Sequence, residues 1–341
     1  MTTCDNLNIT VEEISDEVEL ALSISRYTLT IIGVIANLVV IIVFINCKIY
    51  RKCFTYTLIF QQAFIDLIAC CSYLILFNYN VPDGHAGVVY CKSRTLFWLF
   101  ASGSTFNLVY ISIERYIAVV HPMRYWARGE WKNKMLPQLF VQFVFSALVV
   151  FQLSIFSRPD DLSPGKCRYC HGSETVRVIS GGSIFLLNWV IPISIMMFCY
   201  RRVYVTMLKH SKSKTKWRKT PSSDQTDATT EDTATDTEQG TGIDLKIDRT
   251  SNSTRYSKAQ VNFVITMVIS AFVFLLSITP LLVLYFVYVL CDCFDYDRHP
   301  LRQAAIICFV SSLAANPFVY AFKFNEFKSG FRKTFFRRDK K

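Results

Sequence analysis

The sequence predicts an all-α membrane protein, a seven-transmembrane helix bundle followed by a short amphipathic eighth helix. First, 52% of the 341 residues are hydrophobic and 15% are aromatic, which is too apolar for a soluble chain of this length. Second, the apolar residues form seven runs, each long enough to cross roughly 30 Å of hydrocarbon, a distance that takes about 20 helical residues. Third, the runs are continuous rather than alternating, which indicates helices and excludes barrel strands.

The seven predicted spans share this apolar composition and cover residues 27–45, 56–77, 96–120, 135–156, 178–208, 260–290 and 301–322. Residues 1–26 are predicted to form an extracellular N-terminus, and residues 27–322 to form the membrane domain. A long connection, residues 209–258, interrupts that domain, and residues 323–341 form an amphipathic helix with a basic cytoplasmic tail.

Lysine and arginine set the predicted orientation of the bundle. They crowd the connections after spans one, three and five and the C-terminal tail, which places these segments in the cytoplasm. The N-terminal segment is acidic instead, and it carries the glycosylation sequon Asn8-Ile9-Thr10 on the predicted outside. Because it shows no cleavable signal, span one is expected to act as its own insertion signal. The net charge of +11 therefore reflects topology and attraction to anionic lipid rather than nucleic-acid binding.

Cysteines on the outer side indicate disulfide bonds, because that compartment is oxidising. Six of them lie there: Cys4, Cys91, Cys167, Cys170, Cys291 and Cys293. Cys91 begins span three, so a bridge from it to Cys167 or Cys170, in the loop before span five, is expected. A metal site at Cys167 and Cys170 is a poor alternative, because an oxidising compartment would convert such thiols to disulfides.

Charged residues inside the spans point to function. Asp66 lies near the middle of span two, where a carboxylate costs on the order of 2.5–3.5 kcal/mol, so it is expected to face the interior and to have a partner there. An ion or proton site is the favoured role for Asp66, and a purely structural role is the alternative. At the end of span three, Glu114 and Arg115 form an adjacent charged pair before His121-Pro122 stops the helix. This pair either fixes the helix end or releases Arg115 to bind something else.

The remaining segments carry weaker signals. Residues 222–241 are rich in threonine and acids, which predicts disorder and either phosphorylation or a solvated spacer. Pro280 lies deep in span six and predicts a bend that could serve as a hinge. Phe324, Phe327, Phe331 and Phe335 recur at spacings of three and four, which predicts a short helix on the membrane surface.

In order along the seven spans, these features resemble the rhodopsin-like family of G-protein-coupled receptors, and the peptide-receptor branch in particular. The resemblance covers essentially the whole chain outside the two segments predicted to be disordered. The residues that carry it are Asn37, Asp66, Cys91, Glu114, Arg115, Tyr116, Pro192, Tyr200, Phe274, Pro280 and the run Asn316-Pro317-Phe318-Val319-Tyr320.

The resemblance implies a plasma-membrane receptor in which an outside ligand shifts the sixth helix outward. Arg115, Tyr200 and Tyr320 would then rearrange to admit the end of a G-protein helix. The activation residues it implies are Glu114, Arg115, Tyr116, Tyr200, Phe274, Pro280, Asn316, Pro317 and Tyr320. It also implies a sodium ion site built from Asp66, Ser104, Ser312 and Asn316. Arrestin and receptor kinases are the further cytoplasmic partners it suggests.

Several positions depart from the family pattern. Ile278 stands where the family carries a tryptophan before the sixth-helix proline, which puts the usual aromatic switch in doubt. Span four lacks the tryptophan expected there. Gln260 stands where an acid would hold Arg115, so only Glu114 remains for that role, and measurable basal signalling is expected. The tail has no cysteine for palmitoylation.

The predicted ligand pocket is mostly apolar. Its candidate residues are Arg94, Phe97, Trp98, Ala101, Ile184, Asn188, Leu281, Tyr285 and Ile306. Val310 replaces the lysine that binds retinal in light receptors, and Phe97 replaces the aspartate of amine receptors, so neither ligand is expected. A peptide is the favoured ligand, a lipid or apolar small molecule is the alternative, and a proton- or ion-coupled transporter is less favoured because internal repeats are missing. No enzyme motif is present.

Overall fold

The computed structural model describes residues 15–127, 135–161, 165–217, 244–291, 294, 296–297 and 299–336. Within this part of the chain, seven helical segments are long and apolar enough to cross a membrane, which confirms the seven predicted spans. They are Glu17–Asn46, Phe54–Leu76, Gly84–Val120, Leu136–Phe156, Glu174–Leu208, Val264–Cys291 and Pro300–Ala321.

The helices of the first half are α1 (Asp16–Asn46), α2 (Phe54–Leu76), α3 (Gly84–Ser93), α4 (Thr95–Val120), α5 (Pro122–Ala127) and α6 (Met135–Phe156). The third span consists of α3 and α4, and a 3-10 turn, Ile49–Arg51, follows α1. Lys48 precedes that turn in the left-handed conformation, with φ 50°, so the chain reverses there instead of continuing α1.

The helices of the second half are α7 (Glu174–Phe185), α8 (Ile191–Trp217), α9 (Asp244–Cys291), α10 (Pro300–Lys323) and α11 (Asn325–Phe335). A π-helical segment, Leu186–Val190, joins α7 to α8 within the fifth span. Local chemistry fixes the start of two of these helices. The Ser173 hydroxyl accepts a hydrogen bond from the Val176 amide, and Pro300 occupies the first turn of α10, where a missing N–H costs nothing.

Several helices are longer than hydropathy predicts. Helix α1 begins at Asp16 rather than at residue 27, and the third span begins at Gly84 rather than at residue 96. Helical backbone also runs to Trp217 and resumes at Asp244, which lengthens the helices on both sides of the long connection. The disorder predicted for residues 222–241 lies outside the described residues. Apolar runs reveal only the part of a helix inside hydrocarbon, whereas adding residues to an existing helix costs little, so helices extend past the membrane.

Helix α4 lies at the centre of the bundle, in contact with α2, α6 and α8, while α10 packs against α1 and α9. Glycine allows two of the closest approaches. A Cβ atom at Gly33 would lie 2.8 Å from the Cys70 sulfur, and one at Gly181 would lie 2.2 Å from a Val289 methyl. The Asn37 amide, one turn after Gly33, donates to the Leu313 carbonyl at 3.0 Å and joins α1 to α10.

One end of the bundle, the predicted outer face, carries a two-stranded hairpin made of β1 (Ser157–Pro159) and β2 (Cys167–Tyr169), which pair antiparallel. A disulfide joins Cys91 to Cys167, which confirms the predicted bridge and selects Cys167 over Cys170. Cys170 and Cys291 are also disulfide-bonded. The predictions for Asn8, Cys4 and Cys293 lie outside the described residues.

Helix α11 is the predicted amphipathic helix. Its apolar face packs against the C-terminal end of α1, where the centroid of the Phe44 ring lies 6.4 Å from that of Phe324 and 6.5 Å from that of Phe327. Phe335 and Phe336 remain exposed at its far end. This arrangement leaves aromatic rings and basic side chains available for the membrane surface.

Candidate functional site

The C-terminal end of span three, predicted to face the cytoplasm, holds a buried charged cluster. The Arg115 guanidinium donates to both carboxylate oxygens of Glu114, at 2.5 and 2.6 Å. The Thr55 hydroxyl on α2 donates to the same carboxylate at 2.6 Å and is itself contacted by Arg115. Glu114 is only 5% exposed, so the ion pair is largely removed from water. Separating Arg115 from Glu114 without a new partner would therefore destabilise the bundle.

Tyr125, on the short helix α5, completes this cluster by donating to Glu114 at 3.0 Å. Burial and the neighbouring carboxylate raise the pKa of the Tyr125 phenol, so it stays protonated and remains a donor. Tyr116 bonds instead to the His121 ring, 3.0 Å away. Sequence reasoning missed Thr55 and Tyr125, because spacing alone cannot show which connecting segment folds back onto the end of a helix.

The middle of the bundle holds the Asp66 carboxylate, which is fully buried. One of its oxygens accepts from the Gln62 amide at 2.9 Å and from the Ser104 hydroxyl at 2.8 Å. The other accepts from the Asn316 amide at 2.9 Å. Three neutral donors, from spans two, three and seven, therefore satisfy the predicted mid-membrane charge.

The hydrogen bonds extend from Asp66 in both directions. The Gln62 carbonyl oxygen accepts from the Asn107 amide at 2.8 Å, and the same amide donates to the Leu58 carbonyl at 3.0 Å. On the other side, the Ser270 hydroxyl on α9 donates to the Asn316 carbonyl oxygen. Sequence reasoning missed Gln62 and Asn107, although Gln62 precedes Asp66 by one helical turn, which was an available signal.

Of the four residues predicted to hold sodium, Ser104 and Asn316 donate hydrogen bonds to Asp66. The hydroxyl of the fourth, Ser312, donates to the Phe309 carbonyl of its own helix at 2.6 Å. Hard cations need converging oxygen lone pairs. At Asp66 the Gln62 side chain presents N–H groups instead, so this arrangement does not fit a cation while Gln62 keeps its place.

The other residues predicted to take part in activation lie on spans five, six and seven. Tyr320 is buried, and the Tyr200 hydroxyl donates to the Met267 carbonyl at 3.5 Å. The Phe274 ring packs edge-on against Phe309, with centroids 6.1 Å apart. The two motif prolines lie within the last two spans, Pro280 inside α9 and Pro317 inside α10.

A cavity opens in the half of the bundle next to the hairpin, between spans three to seven, and its empty space, open solvent included, is about 600 Å³. Six predicted pocket residues line it: Trp98, Ala101, Ile184, Asn188, Leu281 and Tyr285. Phe97 and Ile306 do not line it. The Phe97 ring is turned into an aromatic cluster with Tyr73 and Phe77, at 5.1 and 5.2 Å, and Ile306 is buried.

The cavity also contains residues that the sequence did not indicate. They include Ser102, Thr105, Tyr169, Ile278, Tyr296 and Phe309. Ser102 donates to the Asn188 side-chain oxygen at 2.8 Å, so these two polar groups satisfy each other. The Tyr285 hydroxyl has no hydrogen-bond partner within the described part of the chain, although the residue is only 5% exposed. A ligand in this cavity could supply that partner.

A smaller cavity of about 210 Å³ lies beside the first, and Tyr169 lines both. Three arginines line the smaller cavity. Arg168 pairs with Asp160 at 3.9 Å, and Arg302 pairs with Asp297 at 3.5 Å. Arg94, the predicted polar pocket residue, is found here.

The Arg94 guanidinium lies 3.9 Å from the centroid of the Phe77 ring. Among the described residues, no carboxylate lies within ion-pair distance of it. Among the described residues, two carboxylates thus pair with two of the three arginines, and Arg94 adds a positive charge to the lining of the smaller cavity.

Comparison with known proteins extends these observations. The family described as 7 transmembrane receptor (rhodopsin family) matches residues 36–320. Human C-C chemokine receptor type 4 is 29% identical over 54% of this chain and 52% of its own length. Human trace amine-associated receptor 1 is 28% identical over 53% and 56%, and zebrafish (Danio rerio) melatonin receptor type 1B-B is 28% identical over 53% and 52%. The chain spans about half the length of the curated relatives it matches.

Proposed function

Because the chain belongs to the rhodopsin family of seven-transmembrane receptors, which are signalling receptors and not enzymes, we propose that it activates heterotrimeric G proteins in response to an extracellular ligand. The protein would lie in the plasma membrane with its N-terminus outside. Arrestin and receptor kinases would be further partners on the cytoplasmic side.

The observation that carries this proposal is the buried cluster at the cytoplasmic end of span three. Arg115 is neutralised there by Glu114, and Thr55 and Tyr125 hold the carboxylate in place. An arginine at this position can leave its partner only if another acceptor is offered, since an unpaired buried charge is costly. The carbonyl groups at the end of a G-protein helix would be such acceptors.

The test compares G-protein activation without ligand in cells that express the natural chain, Arg115→Ala or Arg124→Ala. Arg124 is an exposed arginine on α5, at the same end of the bundle, and serves as the matched control. At equal surface expression, we expect signalling to fall to background in Arg115→Ala and to persist in Arg124→Ala. Loss of signal in both variants would mean that signalling depends on the positive charge of this face in general and not on the cluster around Arg115.

We further propose that the ligand is a peptide with an anionic end, either a free C-terminal carboxylate or an acidic side chain. The surplus charge of Arg94, beside Arg302 and Tyr169, supports an anion in the smaller cavity. The apolar walls and the unpaired Tyr285 hydroxyl of the larger cavity suit an adjoining apolar side chain. A lipid with a carboxylate or phosphate head is the alternative, favoured by the same apolar walls.

The ligand proposal is tested with matched pairs of compounds: peptides with free or amidated C-termini, and fatty acids with the corresponding alcohols. An active compound should lose potency when its anion is removed. Arg94→Leu should lower that potency by about 10- to 100-fold, since a hydrogen bond to a charged group contributes about 1.5–3 kcal/mol. Arg158, exposed on β1 and outside both cavities, provides the control Arg158→Leu. Equal potency in the two variants would contradict the proposed anion site.

A further inference from the structure

The Asp66 carboxylate, at the middle of the bundle, accepts a hydrogen bond from the neutral side-chain amide of Gln62. We propose that the Gln62 side-chain amide takes the place at Asp66 that the family resemblance assigns to sodium. The resting receptor is then insensitive to sodium, and Gln62 acts as the positioning residue that joins α2, α4 and α10 through Asp66. The inference rests on the orientations of two buried amides, and it holds whatever ligand the receptor binds.

The first orientation is that of Asn107. Its side-chain nitrogen lies 3.0 Å from the Leu58 backbone carbonyl and 2.8 Å from the Gln62 side-chain oxygen. A backbone carbonyl can only accept, so the group facing Leu58 must be the NH₂ of Asn107. Turning the Asn107 amide over would set its oxygen against the Leu58 oxygen in a site with no access to water.

The orientation of Gln62 follows from that of Asn107. Because Asn107 offers an N–H, the atom of Gln62 that faces it is the oxygen, and the Gln62 nitrogen must point the other way. That nitrogen lies 2.9 Å from an Asp66 oxygen and 2.5 Å from the Ser104 oxygen. Both N–H groups of Gln62 are therefore used, one on the carboxylate and one on the hydroxyl that also donates to the carboxylate.

A cation beside Asp66 would need oxygen atoms where these N–H groups lie. Rotating Gln62 to offer its oxygen would present N–H to N–H at Asn107 and break the bonds to Ser104 and Asp66. Gln62 is fully buried, so water cannot replace the lost partners. The amide and a cation are thus alternatives at Asp66, and the fixed backbone carbonyl of Leu58 selects the amide.

The same chain of bonds ties the central carboxylate to the helix expected to move. From Asp66 it continues through the Asn316 amide to the Ser270 hydroxyl on α9. In this receptor the connection between Asp66 and α9 consists of side-chain hydrogen bonds alone. Its strength therefore does not vary with the salt concentration outside the cell.

The test uses the purified full-length receptor and compares its midpoint of thermal unfolding in sodium chloride and in choline chloride at equal ionic strength. The natural chain should give the same midpoint in both salts. Gln62→Leu should unfold several degrees higher in sodium chloride, because removal of the amide opens the site to a cation. Gln61→Leu is the matched control. Gln61 is the neighbouring buried glutamine, it donates to Gln142 rather than to Asp66, and its variant should respond like the natural chain.

The outcomes separate clearly. A sodium-dependent increase in the natural chain that disappears in Asp66→Asn would overturn the proposal, since it would show a cation beside Gln62. Absence of a sodium effect in both the natural chain and Gln62→Leu would also overturn it, because the amide would then not be what excludes the cation. If Gln62→Leu does not fold, Gln62→Met, which keeps the length of the side chain without a donor, takes its place.

Discussion

The hydrogen-bond network around Asp66 and the larger cavity both contain buried polar side chains. They differ in how many of these polar groups have a hydrogen-bond partner within the protein. Around Asp66, every side-chain N–H of Gln62 and Asn107 has an acceptor in the chain, and of these two amides only the Asn107 oxygen has no partner among the described residues. In the outer cavities the Tyr285 hydroxyl is unpaired, and Arg94 contacts a ring instead of a carboxylate among the described residues. Groups already satisfied by the fold stabilise the bundle, whereas unsatisfied groups are available to a ligand.

Among the substitutions considered, Asn107→Leu is expected to lower the free energy of unfolding the most. This change leaves the Gln62 side-chain oxygen without its donor in a fully buried site, removes the second donor of the Leu58 carbonyl, and frees Gln62 to rotate. A buried group left unpaired costs about 1–3 kcal/mol and a lost hydrogen bond about 0.5–1.5 kcal/mol, so we expect a total loss of about 2–4 kcal/mol. The measurement is thermal unfolding of the purified receptor in mild detergent.

Asn188→Leu provides the matched control for this change. Asn188 is also a buried asparagine in a membrane span, but it lines the larger cavity, and within the described part of the chain its side-chain partner is Ser102. We expect its replacement to cost clearly less than that of Asn107. Equal losses at the two positions would mean that the inner network is no more important to stability than the cavity wall.

The same comparison explains what the sequence could predict. Hydropathy predicted the seven spans because each must bury its backbone in hydrocarbon, and Asp66 was recognised because a charge there is exceptional. Gln62 and Asn107 were not recognised, because a neutral amide in a membrane helix does not show which neighbour it bonds.

The sequence predicted less of the half of the bundle that contains the two cavities. Tyr169 reaches both cavities from a hairpin, and the path of that loop depends on the disulfide to Cys91 and on tertiary packing. Phe97 was placed in the pocket by its position along span three, but its ring turns into the cluster with Tyr73 and Phe77. Spacing along a helix gives a face and not a side-chain rotamer, so neither outcome could be read from the sequence.

The smallest expected effect on stability is that of Tyr285→Phe. The lost hydroxyl has no partner within the described part of the chain, so its removal should change the free energy of unfolding by less than about 0.5 kcal/mol. Tyr200→Phe is the control, because the Tyr200 hydroxyl donates to Met267 across spans five and six, and its loss should cost about 1 kcal/mol.

Ligand binding should rank the two variants in the opposite order, with the larger loss of affinity in Tyr285→Phe. An active compound from the matched panel should bind Tyr285→Phe about tenfold more weakly and Tyr200→Phe with little change, since only Tyr285 lines the cavity. If Tyr285→Phe lowered stability as much as Tyr200→Phe, its hydroxyl would be part of the fold, and the distinction between the satisfied network and the unsatisfied cavity would fail at the residue that defines it.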